Sequence, residues 1–262
     1  MPRIRLDQLL VERGLAPSRI AAQGMVLAGE VELEGVGRSL KPGNLVTADA
    51  AVTVRARPRW ASRAGDKLEA ALDAFGIEVE GSKALDAGAS TGGFTDVLLS
   101  RGAKRIYAVD VGRAQLIERL RHDPRVVAME RTNLRTLDGL PEPIDLATLD
   151  LSFISLRLVL PVVRGLLRQD GSVVALVKPQ FEAGRGAVPR GGVIRDPATH
   201  AAVLRRFATD ATAAGFGLHG LMRSPVIGTD GNVEFLAYLV EPPGLPPEAL
   251  EPLIAKLTTP SA

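Results

Sequence analysis

From Ala64 onward, short apolar runs alternate with stretches of helical periodicity, and this alternation constrains the chain more than any other feature. The runs fall at Lys83–Ala87, Arg105–Val109, Val126–Met129, Ile144–Leu149, Ser172–Val177, Leu218–Pro225 and Glu234–Leu239. They read as buried strands, and the segments between them predict helices over Asp66–Phe75, Gly93–Arg101, Ala114–Arg121, Leu156–Leu167 and Pro197–Ala214. Strands alternating with helices make a doubly wound α/β fold, a Rossmann-like, seven-stranded, mostly parallel sheet over residues 63–242. The tail, 243–262, is proline-rich, then weakly helical through Pro247–Leu257, and reads as peripheral.

Residues 1–56 carry a different pattern. Leu6, Leu9, Leu10 and Val11 form a helical stripe closed by Gly14; Ser18 caps a second helix that Gly29 stops. Short strands follow at Val31–Glu34, Leu45–Val46 and Ala51–Arg55, with a turn at Lys41–Asn44, so the prediction is a small α+β domain. Residues 57–62, with the single tryptophan at Trp60, read as the linker.

The chain has no cysteine, which excludes disulfides, thiolate nucleophiles and cysteine-ligated zinc. His122, His200 and His219 have no metal-ligand spacing, so no metal is expected. No apolar stretch reaches the roughly 18 residues of a membrane span, and the charged start lacks a signal-peptide pattern; a cytoplasmic protein is expected. Net charge is +2, unevenly placed: residues 1–65 hold ten Lys and Arg against six Asp and Glu. The basic end points to an anionic partner.

The sharpest local signal is the strand ending in Asp86 followed by Ala-Gly-Ala-Ser-Thr-Gly-Gly-Phe-Thr and a helix. Glycines let the backbone turn tightly against a ligand at the carboxyl end of a strand, where open α/β sheets bind cofactors. The acidic strand end suits a cationic methionine moiety, and the G-x-G-x-x-G spacing for a pyrophosphate is absent, so the loop favours S-adenosylmethionine over a dinucleotide. Asp110, 24 residues after Asp86, ends the next strand where a carboxylate accepts from ribose hydroxyls. Thr132 and Asn133 border the expected adenine edge or form a plain turn. The predicted cofactor set is Asp86, Gly88, Ser90, Thr91, Gly92, Gly93, Phe94, Asp110, Val111, Thr132, Asn133 and Asp150.

Lys67, Asp150, Lys178 and Glu234 stand at strand ends or helix starts on the same rim. Singly, each has a plain reading, as a helix lysine, an N-cap, a strand-end lysine and a strand glutamate. Together they make a base for a hydroxyl acceptor: a lysine works as a base when burial or a second cation depresses its pKa, and two lysines among two carboxylates allow that tuning. Lys178 is the expected base, oriented by Asp150 and Glu234 and tuned by Lys67. The glycine-rich segment Ala183–Val193 beside it reads either as a lid or as a rigid turn.

Over nearly its whole length the chain resembles the TlyA-type ribosomal RNA 2′-O-methyltransferases, once described as haemolysins, whose catalytic part is similar to the FtsJ-like family. The resemblance runs through Trp60-Ala61-Ser62-Arg63, Leu85–Thr95, Asp123–Val127, Arg131-Thr132-Asn133, Asp150–Ser155, Val177–Glu182, Gly191-Gly192-Val193 and Gly231–Glu234. The family's Lys-Asp-Lys-Glu tetrad falls on Lys67, Asp150, Lys178 and Glu234. The N-terminal residues, through Arg5-Leu6-Asp7, Gly14-Leu15, Ser18-Arg19 and Gly29-Glu30-Val31, resemble the small S4-like RNA-binding domain, which makes Arg3, Arg5, Arg13, Arg19 and Lys41 the expected phosphate contacts. The resemblance implies a cytidine 2′-hydroxyl in ribosomal RNA as acceptor, in the large subunit and, in longer members, also the small. It also implies that a tetrapeptide ending in tryptophan couples the domains; here that is Arg57-Pro58-Arg59-Trp60, with a proline at its second place. No membrane and no obligate protein partner is indicated. The rival classes are a pore-forming protein and a non-catalytic RNA-binding assembly factor.

Overall fold

The computed structural model describes residues 3–27, 30–34, 40–54, 59–113, 115–184, 186, 188–228 and 231–259. The chain divides into two compact units, Met1–Pro58 and Arg59–Ala262. Gly29 as a helix stop and residues 55–58 of the expected junction lie outside the described residues.

The first unit runs β1 (Arg3–Arg5), α1 (Leu6–Glu12), α2 (Arg19–Leu27), β2 (Val31–Leu33), β3 (Leu45–Thr47) and β4 (Val52–Val54). β1 pairs antiparallel with β3, and β2 with β4. The sequence signals act as expected: Gly14 takes a φ of +67° after α1, and Ser18 Oγ accepts from the Ala21 amide at 3.2 Å. Leu6, Leu10, Ala22, Val26, Val31 and Leu33 close a small core between the helices and strands.

The second unit holds α3 (Ala64–Phe75), β5 (Lys83–Ala87), α4 (Gly93–Ser100), β6 (Arg105–Val109), α5 (Glu118–Arg121), β7 (Val126–Met129) and β8 (Ile144–Leu149). Then follow α6 (Leu160–Leu166), β9 (Leu167–Val177), α7 (Pro179–Glu182), α8 (Pro197–Ala213), β10 (Gly217–Arg223), β11 (Phe235–Val240) and α9 (Pro247–Thr258). Seven strands form one sheet in the order β10-β11-β9-β8-β5-β6-β7. β7, β6, β5, β8 and β9 are parallel neighbours, while β11 runs antiparallel to both β9 and β10. Strand order reverses around β5, and there the loops after β5, β6 and β8 diverge to opposite faces and leave a crevice.

Three elements depart from the sequence reading, each for a local reason. The helix expected from Ala114 is found only as α5: Ile117 is extended and gives its amide to Thr91 O at 3.3 Å, so the chain is tied to the β5–α4 loop before it coils. The helix expected over Leu156–Leu167 splits into a 3₁₀ turn, Leu156–Leu158, and α6, whose first turn takes Pro161 because a proline there has no amide to satisfy. The tail is not peripheral. Leu250, Leu253, Ile254 and Leu257 of α9 fall on one stripe, and Ile254 is fully buried in the main core, while Arg205 of α8 grips Glu251 with contacts of 2.8–2.9 Å.

Arg59–Ser62 of the expected linker belong to the second unit. Trp60 is buried against Gly65, where a Cβ would stand 2.4 Å from the indole, and the Ala61 amide donates to Asp96 Oδ2 of α4 at 2.8 Å. Among the described residues no helix is long and apolar enough to cross a membrane.

Because Ile254 is a core residue, Ile254→Ala should lower stability by about 3 kcal/mol, read as a Tm lower by on the order of 10 °C. An unchanged Tm in a thermal melt would return α9 to the periphery.

Candidate functional site

Asp110, Asp150 and Lys178 stand just past the carboxyl ends of β6, β8 and β9, because parallel strands deliver their loops to one edge. A cleft of about 640 Å³ opens there. Gly88, Ser90, Asp110, Val111, Thr132, Asn133 and Asp150 are among the residues that line it. Gly88 has a φ of +85°, and a Cβ on it would lie 2.4 Å from the Asp150 carbonyl oxygen, so only glycine lets the loop meet the end of β8. Asp110 accepts from the Ser90 amide at 2.8 Å through one oxygen and from the Gly112 amide at 2.7 Å through the other. Its remaining lone pairs can receive a ribose diol.

Other members of the expected set lie away from the cleft. Asp86 is fully buried beneath the loop, where its carboxylate accepts from Thr95 Oγ1 at 2.6 Å and Thr148 Oγ1 at 3.4 Å. Burial, with a smaller push from the charge of Asp150, raises its carboxyl to about 7. Gly92, with a φ of +101°, and Gly93 form the tight entry to α4, Phe94 packs in the core, and Thr91 is exposed. Asn133 lines the cleft but spends its side-chain oxygen on the Arg135 amide at 3.0 Å, capping a 3₁₀ turn.

The four charged residues come together as two ion pairs. Lys67 of α3 pairs with Glu234, which precedes β11, and both are nearly inaccessible to solvent. Lys178, just past β9, has Nζ 2.6 Å from Asp150 Oδ1 and donates to Ser152 Oγ at 3.1 Å. A second cavity of about 390 Å³ adjoins the first: Ser152 and Phe153 line both, and Lys178, Phe181, Asn232 and Glu234 line the second. Asp150 thus faces the cleft, Glu234 faces the second cavity, and Lys178 reaches between them.

Several residues that shape this second cavity had no role in the sequence reading. Phe153 is 91% exposed, has a φ of +63°, and stands with its ring centroid 5.1 Å from that of Phe181. An exposed phenylalanine in a strained backbone is a recurrent mark of a binding site, yet nothing in the sequence gives its φ. Glu182 accepts from Ser155 Oγ at 2.7 Å and from the Leu156 amide at 2.8 Å, which holds α7 against the loop after β8; burial raises its carboxyl. Asn232 donates to Gly192 O and accepts from the Ile194 amide, both at 3.1 Å, and so pins the end of the glycine-rich segment as a wall of the cavity. His200 adds a contact to Ile194 O at 3.1 Å, and burial lowers its pKa.

A family model described as FtsJ-like methyltransferase matches residues 60–240. The chain belongs to the FtsJ-like methyltransferase family. Within that family it is of TlyA type: it is 47% identical over 241 residues to the 16S/23S rRNA (cytidine-2'-O)-methyltransferase TlyA of Mycobacterium tuberculosis, covering 90% of each chain. It is 40% identical over 243 residues to Hemolysin A of Brachyspira hyodysenteriae, covering 90% of this chain and all of that one. A solved structure with a hemolysin description, from Streptococcus thermophilus, superposes with a TM-score of 0.74 at 42% identity, over 98% of this chain and 95% of that one.

In the first unit, the expected basic residues divide into two kinds. Asp7 is fully buried and accepts from Arg5 at 3.0 and 2.8 Å, Arg19 at 3.2 Å and Gln23 at 2.9 Å; Arg5 above all holds its carboxyl well below the usual range. Both guanidiniums remain partly open to solvent. Arg13 spends its terminal nitrogens on Ala50 O at 2.7 Å and Ala48 O at 2.6 Å, a structural task. Arg3 and Lys41 are exposed.

Asp86 makes stability depend on pH. Its folded pKa lies above the ordinary carboxylate value, so folding favours the protonated form, and the stability it contributes below about pH 4 is lost as pH rises through about 7. Asp86→Asn keeps an acceptor for Thr95 and removes the titration. Thermal melts from pH 5 to 8 should show the variant gaining on the parent by several degrees; parallel curves would mean Asp86 stays ionised in the fold.

Proposed function

We propose that the chain transfers the methyl group of S-adenosylmethionine to the 2′-hydroxyl of a cytidine in ribosomal RNA. The observation that carries this is the Lys178–Asp150 pair at the junction of the two cavities, in a chain nearly half identical to a relative named for that reaction. The residues of the cleft fit the cofactor. Gly88 lets the loop after β5 close onto the end of β8 and line the cleft, Asp110 offers carboxylate lone pairs to its ribose, and Asp150 supplies negative charge near a sulfonium. The cofactor supplies an electrophilic methyl group.

The chain's own residues do the rest. A ribose hydroxyl is a poor nucleophile until its proton has somewhere to go, and Lys178 Nζ receives that proton as the oxygen is alkylated. Asp150 orients the amine. Lys67 and Glu234, held as a buried pair, set the field beside it, and Glu234 walls the acceptor cavity. The exposed Phe153 ring, with Phe181 behind it, offers a stacking face to an unstacked base, which is how single-stranded or extruded nucleotides are held.

The first unit is the proposed S4-like RNA-binding domain. Arg3, Arg5, Arg19 and Lys41 contact phosphates there and position the substrate without reading its sequence, with Arg13 in a supporting role. The ribosomal target implies a cytoplasmic enzyme.

Incubating the protein with cofactor and ribosomal subunits, then mapping 2′-O-methyl groups, should find a modified cytidine. Vesicle leakage with no methylated RNA would instead favour the activity in the name of the Brachyspira relative. Lys178→Ala should abolish transfer while leaving cofactor affinity nearly intact; a variant keeping more than about a tenth of the rate, roughly 1.4 kcal/mol of barrier, rules Lys178 out as the base. Arg3→Ala combined with Lys41→Ala should lower the slope of log affinity against log salt by about two. An unchanged slope would mean that these two residues touch no phosphate.

A further inference from the structure

We propose that Ser152 is a positioning residue for Lys178, fixing the direction of the amine lone pair toward the acceptor hydroxyl. This rests on Lys178 being the base.

A neutral primary amine has two N–H groups and one lone pair, set tetrahedrally about nitrogen. To receive a proton from one direction, its lone pair must be held there against rotation about the Cε–Nζ bond. Lys178 Nζ stands 2.6 Å from Asp150 Oδ1, a contact of charge without hydrogen-bond alignment, and donates to Ser152 Oγ at 3.1 Å. The ring of Phe181, with its centroid 5.8 Å from Nζ, offers a face without a lone pair of comparable strength. The remaining direction opens on the second cavity, which Lys178 and Ser152 line together. The undirected contact with Asp150 alone would leave the amine free to turn about its Cε–Nζ bond, sweeping its lone pair in and out of line. The hydrogen bond to Ser152 stops that rotation.

The acceptor is a hydroxyl, and that suits the task. A second carboxylate beside Nζ would hold the ammonium as a cation and oppose its action as a base, whereas a serine oxygen directs an N–H without adding charge. Although Ser152 is exposed, its backbone is anchored on both sides. The Asp150 amide donates to Ala87 O at 2.9 Å, and Glu182 holds Ser155 Oγ and the Leu156 amide. Between these anchors the left-handed turn at Phe153, with a φ of +63°, directs the aromatic ring one way and leaves Ser152 next to the lysine.

The test compares Ser152→Ala, Ser152→Val and Ser152→Thr in the full-length protein, with Lys178→Ala as control, measuring kcat and KM for RNA and for cofactor across pH. Threonine and valine have the same shape and differ in the hydroxyl. The alanine and valine variants should lose about tenfold in kcat with both KM values within about twofold of the parent, and threonine should restore kcat to within about threefold. The pH at which the rate rises should stay put in all three, because serine carries no charge. Equal rates for threonine and valine, or a loss confined to either KM, would overturn the proposal. If Lys178→Ala stays active, the base assignment itself has failed; if that variant is dead while Ser152→Val turns over like the parent, only the role of Ser152 has failed.

Discussion

The reversal of strand order around β5 is the constraint from which the site follows. β6 and β8 lie on opposite sides of β5, all three run in one direction, and their connections leave to opposite faces of the sheet. A cleft opens at their carboxyl ends whatever the side chains are. What the sequence adds is a loop thin enough to use it. The Cβ-less Gly88 lets the β5 loop lie against the Asp150 carbonyl, and the Asp110 carboxylate ties Ser90 and Gly112 into a fixed rim. The next pair outward, β8 and β9, delivers Asp150 and Lys178 to the same edge, so the second cavity adjoins the cleft by topology.

The two ion pairs are chemically alike and differ in what surrounds them. Lys67 and Glu234 are buried, and removing either would leave an uncompensated charge in a low-dielectric pocket, a loss of about 3–5 kcal/mol in comparable cases. That pair is fastened to the fold. Lys178 is as buried as Lys67, but its partner Asp150 is only half-buried and lines the cleft, and the third member, Ser152, is exposed.

Most of the architecture was legible because periodicity and strand-end polarity report on backbone topology, which is what places these groups. All seven strands of the large sheet, the loop after Asp86, Asp110 and the four charged residues are visible in this way. The tail was misread because four apolar residues among prolines give a weak signal, and only packing against α8 reveals Ile254 as core. The loop residues were over-assigned for a related reason. A glycine-rich motif marks where the backbone must turn, not which side chains face the cleft, and so Asp86 and Phe94 joined a set whose cavity they do not line. Conversely, Phe153, Glu182 and Asn232 act through a positive φ or through bonds between distant segments, neither of which has a periodic trace in sequence.

The strained positions suggest how such a site is kept in shape. Ser90, Arg131 and Phe153 are the non-glycine residues with positive φ among the described residues, and two of them line the cleft. Each costs on the order of 1 kcal/mol or more and persists only where neighbours over-determine it. The neighbours are evident: Asp110 holds the Ser90 amide, and Glu182 holds the segment beyond Phe153. In both cases a carboxylate accepts backbone or hydroxyl protons from a loop at the edge of the sheet and fixes it in a conformation it would not choose alone. Carboxylates in this fold therefore have two tasks, meeting charge at the reacting centre and clamping the loops that surround it. The clamps are the part that a reading limited to charged tetrads overlooks.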